Sequence, residues 1–189
     1  YKPEGEGFMV VYRCTRRDCR RLFIAHFGGG GEDALRPSTL TEIEPRNPEA
    51  IAVGDEIRTL SPMYVKIFEQ ARAAEAEGLN EIVGMGFRKA LEFLVKDFAK
   101  YKVADHAKNE GIEKTQLGTA INNYITEDLR IRECAERATW LGNDHAHYLV
   151  KWEDKNIADL KLMLRLTVNW IENVLVSDNA VKDMAKKKS

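Results

Sequence analysis

The segment ATWLGNDHAHYLV, residues 138–150, combines an asparagine, an aspartate and two histidines beside a glycine. These side chains could form a catalytic turn, a metal site or only a junction between two helices. On a helical turn Asn143 and His147 share a face, whereas His145 points nearly the opposite way. The two histidines would share a face only on a strand, so the spacing favours an Asn143–His147 pair over a metal site.

Gly142 is predicted to close the helix that precedes this pair. Apolar residues recur at helical spacing as far as Leu141, and glycine readily adopts the left-handed conformation in which helices commonly end. Asn143 then suits a turn or the cap of the next element. Gly142 and Asn143 are therefore expected to form a structural turn.

Cys14 and Cys19 form a second candidate site, in the loop of a predicted β-hairpin. Their spacing is that of zinc ligands, but two thiolates are half a site, and only His26 could add a third ligand nearby. The alternative is a pair of reduced thiols on a basic loop. The chain opens on Tyr1 rather than methionine, so we expect an upstream segment, and ligands from it would favour zinc.

Composition excludes several classes of protein. The 30 acidic residues nearly balance the 29 basic ones, so the net charge of −1 demands neither nucleic acid nor a membrane surface. No apolar run approaches the roughly 20 residues of a membrane helix. The three cysteines, an odd number, argue against a secreted disulfide framework. We expect a soluble, cytoplasmic protein without a membrane partner.

The hydrophobic patterns predict a mainly α protein, with a bundle of about five helices preceded by a small β-hairpin. The expected regions are the hairpin in residues 1–31, a proline-containing linker in 32–60, a helical domain in 61–177 and a charged tail in 178–189. The linker is expected to hold at most a short helical turn near 51–60. The helices are predicted at 61–78, 80–101, 112–125, 127–141 and about 155–176.

The last of these helices carries two apolar stripes. One stripe comprises Ile157, Leu160, Leu164, Val168, Ile171 and Leu175, and the other comprises Met163, Leu166, Trp170 and Val174. Two stripes exceed what one neighbouring helix requires, so this helix is expected to lie deep in the bundle or to face a second subunit. We expect a homodimer.

Residues 61–177 contain SPMYVKIFEQARAAEAEGL, GFRKALEFLVKDF and GNDHAH in that order, and they resemble the bacterial family named domain of unknown function 4145. That family often has a zinc-ribbon-like N-terminal piece, so the resemblance implies zinc at Cys14 and Cys19, in a truncated ribbon, and no cofactor for the helical domain. The family is similar to the HEPN superfamily of helical bundles, which are common in bacterial toxin, restriction and phage-defence systems and usually dimerise.

The resemblance also implies a candidate active site. Active HEPN ribonucleases carry an arginine, a polar residue, three further residues and a histidine; GNDHAH matches at Asn143 and His147 but has Gly142 in place of the arginine. His147 would act as general base or acid and Asn143 would orient it. The phosphate also needs a fixed cation, which Arg88 or Arg137 would have to supply.

Both arginines also have structural explanations. Arg137 lies four residues after Glu133, which is the favourable spacing of a helix-surface ion pair. Arg88 lies four residues before Glu92 on a helix with little room facing solvent. Arg88 and Glu92 are therefore expected to brace the turn at residues 142–147.

The sequence thus favours a non-catalytic HEPN-like interaction module that binds RNA or a partner protein in a bacterial defence or regulatory system. The alternative is a metal-independent ribonuclease that uses His147 with Arg88 or Arg137. A third possibility is a zinc-dependent contact at the hairpin, where CTRRDCRR supplies four arginines for phosphates. The interaction module is preferred because it explains the absent arginine and the near-neutral charge.

Overall fold

The computed structural model describes residues 7–17, 19–28, 39–44, 53–103 and 105–184. The chain divides into two compact units between residues 49 and 50. It is mainly helical, with a small antiparallel sheet in the first unit and seven described helices in the second. None of these described helices has both the length and the apolar character needed to cross a membrane.

The first unit is a three-stranded antiparallel sheet in which β2 lies in the centre. Its strands are β1 (Phe8–Arg13), β2 (Leu22–Gly28) and β3 (Thr39–Glu44). Ring stacking joins β1 to β2, with centroids 5.1 Å apart for Phe8 and Phe27 and 5.3 Å apart for Tyr12 and Phe23. Such cross-strand aromatic pairs stabilise the register of the predicted hairpin.

The third strand lies inside the predicted linker, so that prediction was wrong for residues 39–44. β3 pairs with β2, where Ile43 lies opposite the buried Ala25. A six-residue strand between prolines is too short for its alternation to stand out in the sequence. Residues 29–38 and 45–52 of the predicted hairpin and linker lie outside the described residues.

The second unit is a bundle built around one central helix. Its helices are α1 (Asp55–Leu60), α2 (Pro62–Ala76), α3 (Asn80–Val103), α4 (His106–Lys114), α5 (Leu117–Tyr124), α6 (Leu129–Asp144) and α7 (Ile157–Asp183). α3 contacts each of the other six, and its Phe87, Leu91 and Leu94 side chains are fully buried. The helix predicted at 80–101, with little room facing solvent, is therefore the central helix of the bundle.

The ends of α2 lie close to the predicted bounds, 61 and 78. Pro62 is its first residue, where the missing N–H costs nothing. Ser61 precedes it, but the Ser61 hydroxyl donates to a carboxylate oxygen of Asp97 in α3, 2.6 Å away, instead of capping α2. Gly78 follows the helix with φ of +73°, in the left-handed region that glycine adopts without strain.

The number of helices exceeds the predicted five. α1, expected at most as a short turn in the linker, places a fully buried Ile57 in the helical core. The predicted helix at 112–125 is instead two helices, α4 and α5, because Thr115 and Gln116 between them have extended backbone conformations. The Thr115 hydroxyl donates to the Gly111 carbonyl at 2.6 Å and so helps to end α4.

α7 extends beyond its predicted end, so the assignment of residues 178–189 to a tail was wrong as far as Asp183. The Tyr101 hydroxyl of α3 donates to Asp178 at 2.9 Å, and the Lys182 ammonium lies 5.7 Å from the centroid of the Tyr101 ring. These contacts hold the added turns of α7 against α3. Residues 185–189 lie outside the described residues.

The second apolar stripe of α7 is largely accounted for within one chain. Met163, Trp170 and Val174 are partly buried against the core, and the Arg130 guanidinium of α6 lies 4.7 Å from the centroid of the Trp170 ring. The stripe therefore does not require a second subunit. Homodimerisation stays a prediction.

Substitution of Ile57 tests whether α1 belongs to the helical core. Ile57→Ala should lower the free energy of unfolding by about 2 to 5 kcal/mol, because it opens a cavity in a fully buried position. Thr59→Ala, at an exposed position of the same helix, should change it by less than about 0.5 kcal/mol. Urea unfolding of both variants measures this, and equal effects would contradict the placement of α1.

Candidate interaction site at the end of helix α6

α6 positions the candidate site through its cap and its buried face. The Asp128 carboxylate accepts hydrogen bonds from the backbone N–H groups of Arg130 and Ile131, at 3.0 and 3.1 Å, and so starts the helix. The buried residues are Ile131, Ala135, Ala138, Thr139, Leu141 and Gly142. Most of them are small, which lets α6 pack closely and brings its last turn against α3.

Gly142 does not close α6, so that prediction was wrong. The helix continues to Asp144, and the described glycine with a positive φ is Gly78. A Cβ atom at Gly142 would lie only 2.7 Å from the Cβ and 2.9 Å from the Cγ of Arg88. Glycine is required here because two helices approach closely, a reason that local spacing does not reveal.

Arg88 connects α3 to the last turn of α6. Its Nε donates to the side-chain oxygen of Asn143 at 2.5 Å, and its Nη1 lies 3.7 Å from a carboxylate oxygen of Glu92. Glu92 also accepts a hydrogen bond from Lys96 at 2.6 Å. The Arg88 and Glu92 side chains are 31% and 30% exposed, so solvent weakens but does not abolish this attraction. These are the contacts that the bracing hypothesis requires.

Asp144 holds the two ends of the loop that comes after α6. Its carboxylate accepts hydrogen bonds from the backbone N–H groups of Lys151, at 3.0 Å, and Trp152, at 2.8 Å. The Trp152 ring stacks on Trp140 of α6, with centroids 6.0 Å apart and planes within 5°. Residues 145–150, which we call the 145–150 loop, therefore project from a closed base.

The two histidines of this loop have different surroundings. His145 packs against α3, where a Cβ atom at Gly84 would lie 2.2 Å from the Cγ of His145. His147 is exposed and lies in a bend, because the helical turn expected to place it beside Asn143 ends at Asp144. His147 and Asn143 nevertheless line the same cleft.

This cleft, the α6 cleft, is open and has a volume of about 790 Å³. Its described lining comprises Trp140, Asn143, Asp144, His147, Tyr148, Leu149, Lys151 and Trp152. Neither Arg88 nor Arg137 is among these residues. The cleft therefore brings His147 and Asn143 together without the arginine that the ribonuclease hypothesis requires.

Arg137 lies along the surface of α6. Its Nη1 donates to the Glu133 carbonyl at 2.9 Å and lies 3.9 Å from the Glu133 carboxylate, as the predicted ion pair requires. Its guanidinium lies 5.9 Å from the centroid of the Trp140 ring, a cation–π distance. Arg137 thus borders the tryptophan pair.

The 145–150 loop exposes three successive side chains that are aromatic or aliphatic. Tyr148 is 100% exposed, Leu149 75% and Val150 50%. Sequence reasoning did not identify these residues as a site, nor the stacked Trp140 and Trp152. The available signal was the pair of tryptophans that flank the polar segment, but their stacking depends on the loop closing at Asp144.

The hairpin cysteines lie close together in the first unit. The backbone N–H of Arg21, the neighbouring Cys14 thiol, and the charges of Arg21 and Arg16 hold the pKa of Cys19 below its usual value. No group of three or more His, Cys, Asp or Glu side chains in the described residues could hold a metal ion. Zinc at Cys14 and Cys19 stays a prediction.

No protein-family model, no curated protein and no solved structure matches this chain. The HEPN-like assignment therefore also stays a prediction.

Gly142 and Gly118 offer a matched test of the close approach between α6 and α3. Gly142→Ala should destabilise the protein, because overpacking costs about 1 to 3 kcal/mol and exceeds the roughly 1 kcal/mol that alanine gains in a helix. Gly118→Ala, in α5, should stabilise it by about 0.4 to 1 kcal/mol, because a Cβ there meets no described atom within 4 Å. Thermal unfolding measures both, and stabilisation by Gly142→Ala would contradict the described packing.

Proposed function

We propose that the helical unit is a non-catalytic interaction module that binds a partner protein through the α6 cleft and the 145–150 loop. The observation that supports this most directly is the exposure of Tyr148, Leu149 and Val150 on a loop with a fixed base. Exposed apolar side chains gain free energy when a partner removes them from water. Because Asp144 already holds the loop ends, binding orders little additional chain.

The charge of the site favours a protein over RNA. Lys151 is the one lysine or arginine between residues 145 and 152, and acidic residues lie on either side at Asp144, Glu153 and Asp154. RNA binding draws much of its affinity from several cations that contact phosphates. Apolar and aromatic side chains are instead typical anchors in protein interfaces.

The ribonuclease alternative is less favoured because its candidate cation is engaged elsewhere. Arg88 is hydrogen-bonded to Asn143 and lies beside Glu92, so contact with a phosphate would break the bracing of α6. Arg137 is held by Glu133. The setting in bacterial defence or regulation, and the homodimer, rest on the HEPN-like resemblance.

Site-specific photo-crosslinking in the organism that encodes the chain tests the proposal. A photoreactive phenylalanine analogue placed at Tyr148 should give a covalent adduct with a defined protein, and Leu149→Asp should abolish that adduct. The same analogue at Val181, an exposed residue of α7, is the matched control and should give none. No adduct, or equal yields at the two positions, would contradict the proposal.

The identity of the adduct separates the alternatives. A species of twice the mass of the chain would identify a second copy as the partner, whereas an adduct shortened by added ribonuclease would identify RNA. In parallel, labelled single-stranded RNA in EDTA should stay intact with the wild-type protein. Cleavage that is lost in both His147→Ala and Arg88→Ala would favour the ribonuclease instead.

A further inference from the structure

A second cavity, separate from the α6 cleft, lies between α2 and α7. We call it the α2–α7 pocket; its volume is about 350 Å³, and its lining includes Tyr64, Phe68, Leu162, Arg165, Val168 and Asn169. Small-molecule sites typically occupy about 300 to 1,000 Å³ and combine apolar walls with a few polar groups. None of these six residues lines the α6 cleft.

An ion pair joins the two helices beside this pocket. The Lys161 ammonium of α7 contacts both carboxylate oxygens of Glu75 in α2, at 2.8 and 2.9 Å. Lys161 also lines the pocket, but its charge is already balanced by Glu75. Lys161 therefore supplies no free cation to the pocket.

The floor of the pocket is aromatic and well supported. The Tyr64 and Phe68 rings are stacked with centroids 5.4 Å apart, and Phe68 packs in turn against Phe87 of α3 at 5.4 Å. Tyr64 and Phe87 are buried, so this stack is held in place by the core. Phe68 is the half-buried member of the stack, so it gives a ligand ring an aromatic side chain to contact.

The Tyr64 hydroxyl supplies a polar group within the pocket. Burial raises the pKa of Tyr64 well above its usual value, so its hydroxyl keeps its proton and can donate it in a hydrogen bond. No described residue forms a hydrogen bond with this hydroxyl. Among the described residues it is not one of the buried polar atoms that lack a partner, so it is open to solvent, where an acceptor atom on a ligand can replace water.

Arg165 gives the pocket a cation at its rim. It is exposed, and no described residue forms an ion pair with it. Glu172 lies two turns further along α7. Its carboxylate occupies the space beside Gly54, because a Cβ atom at Gly54 would lie 1.5 Å from a carboxylate oxygen of Glu172. Arg165 and Glu172 therefore mark different ends of the pocket, and an anion is attracted to the Arg165 end.

We propose that the α2–α7 pocket binds a small aromatic carboxylate. The ring of the ligand contacts the half-buried Phe68, its carboxylate pairs with Arg165, and an acceptor atom receives the Tyr64 hydroxyl hydrogen bond. Arginine suits this role because its planar guanidinium matches a carboxylate with two parallel hydrogen bonds. This site is independent of the partner-protein surface proposed for α6.

Calorimetric titration with para-hydroxyphenylacetate, and with its neutral amide as the matched ligand, tests this site. The acid should bind saturably at millimolar concentration or below, and Arg165→Gln should weaken it by about tenfold or more. The amide should lose little from the same substitution. Arg137→Gln, which removes one positive charge outside the pocket, should leave the affinity for the acid unchanged.

Two further variants locate the binding within the pocket. Val168→Trp should abolish binding of both the acid and the amide by filling the cavity, and Tyr64→Phe should weaken both a few-fold by removing the hydroxyl. Circular dichroism confirms that each variant is folded. The proposal is overturned if the acid does not bind saturably, if Arg165→Gln and Arg137→Gln act alike, or if folded Val168→Trp still binds.

Discussion

The close approach of α6 to α3 is the constraint on which the candidate interaction site depends. It is possible only because Gly142 has no side chain where the stem of Arg88 crosses the helix. The same approach lets the Arg88 guanidinium donate a hydrogen bond to the side-chain oxygen of Asn143 at 2.5 Å. One absent methyl group and one charged hydrogen bond thus fix the last turn of α6, and the 145–150 loop takes its position from that turn.

This constraint underlies our proposal that the site binds a partner rather than catalysing a reaction. With the end of α6 fixed, the Asp144 carboxylate accepts hydrogen bonds from the backbone N–H groups of Lys151 and Trp152 at the far end of the loop. The Trp152 ring stacks on Trp140. The loop is therefore presented on a rigid base with its apolar tip in solvent. The same geometry engages Arg88 in support of the helix, so the guanidinium that a phosphate would need serves a structural role.

Local signals in the sequence were sufficient for much of the fold. Pro62 and Gly78 mark the ends of α2 because each acts through its own backbone, and the central position of α3 is indicated by its nearly continuous apolar surface. The sequence could not distinguish a glycine that ends a helix from one that lets two helices touch. The role of Gly142 depends on Arg88, and Asn143 lies 55 residues from that partner, so only the tertiary structure joins them.

A double-mutant cycle between Arg88 and Asn143 tests this account most directly. Chemical unfolding of Arg88→Met, Asn143→Ala and the double variant gives their coupling free energy. We predict about 1 kcal/mol or more, since contacting partners in one hydrogen-bonded network typically couple by about 0.5 to 3 kcal/mol. Effects that add within about 0.3 kcal/mol would contradict the account, because Arg88 would then not brace α6 and would be free to serve a phosphate.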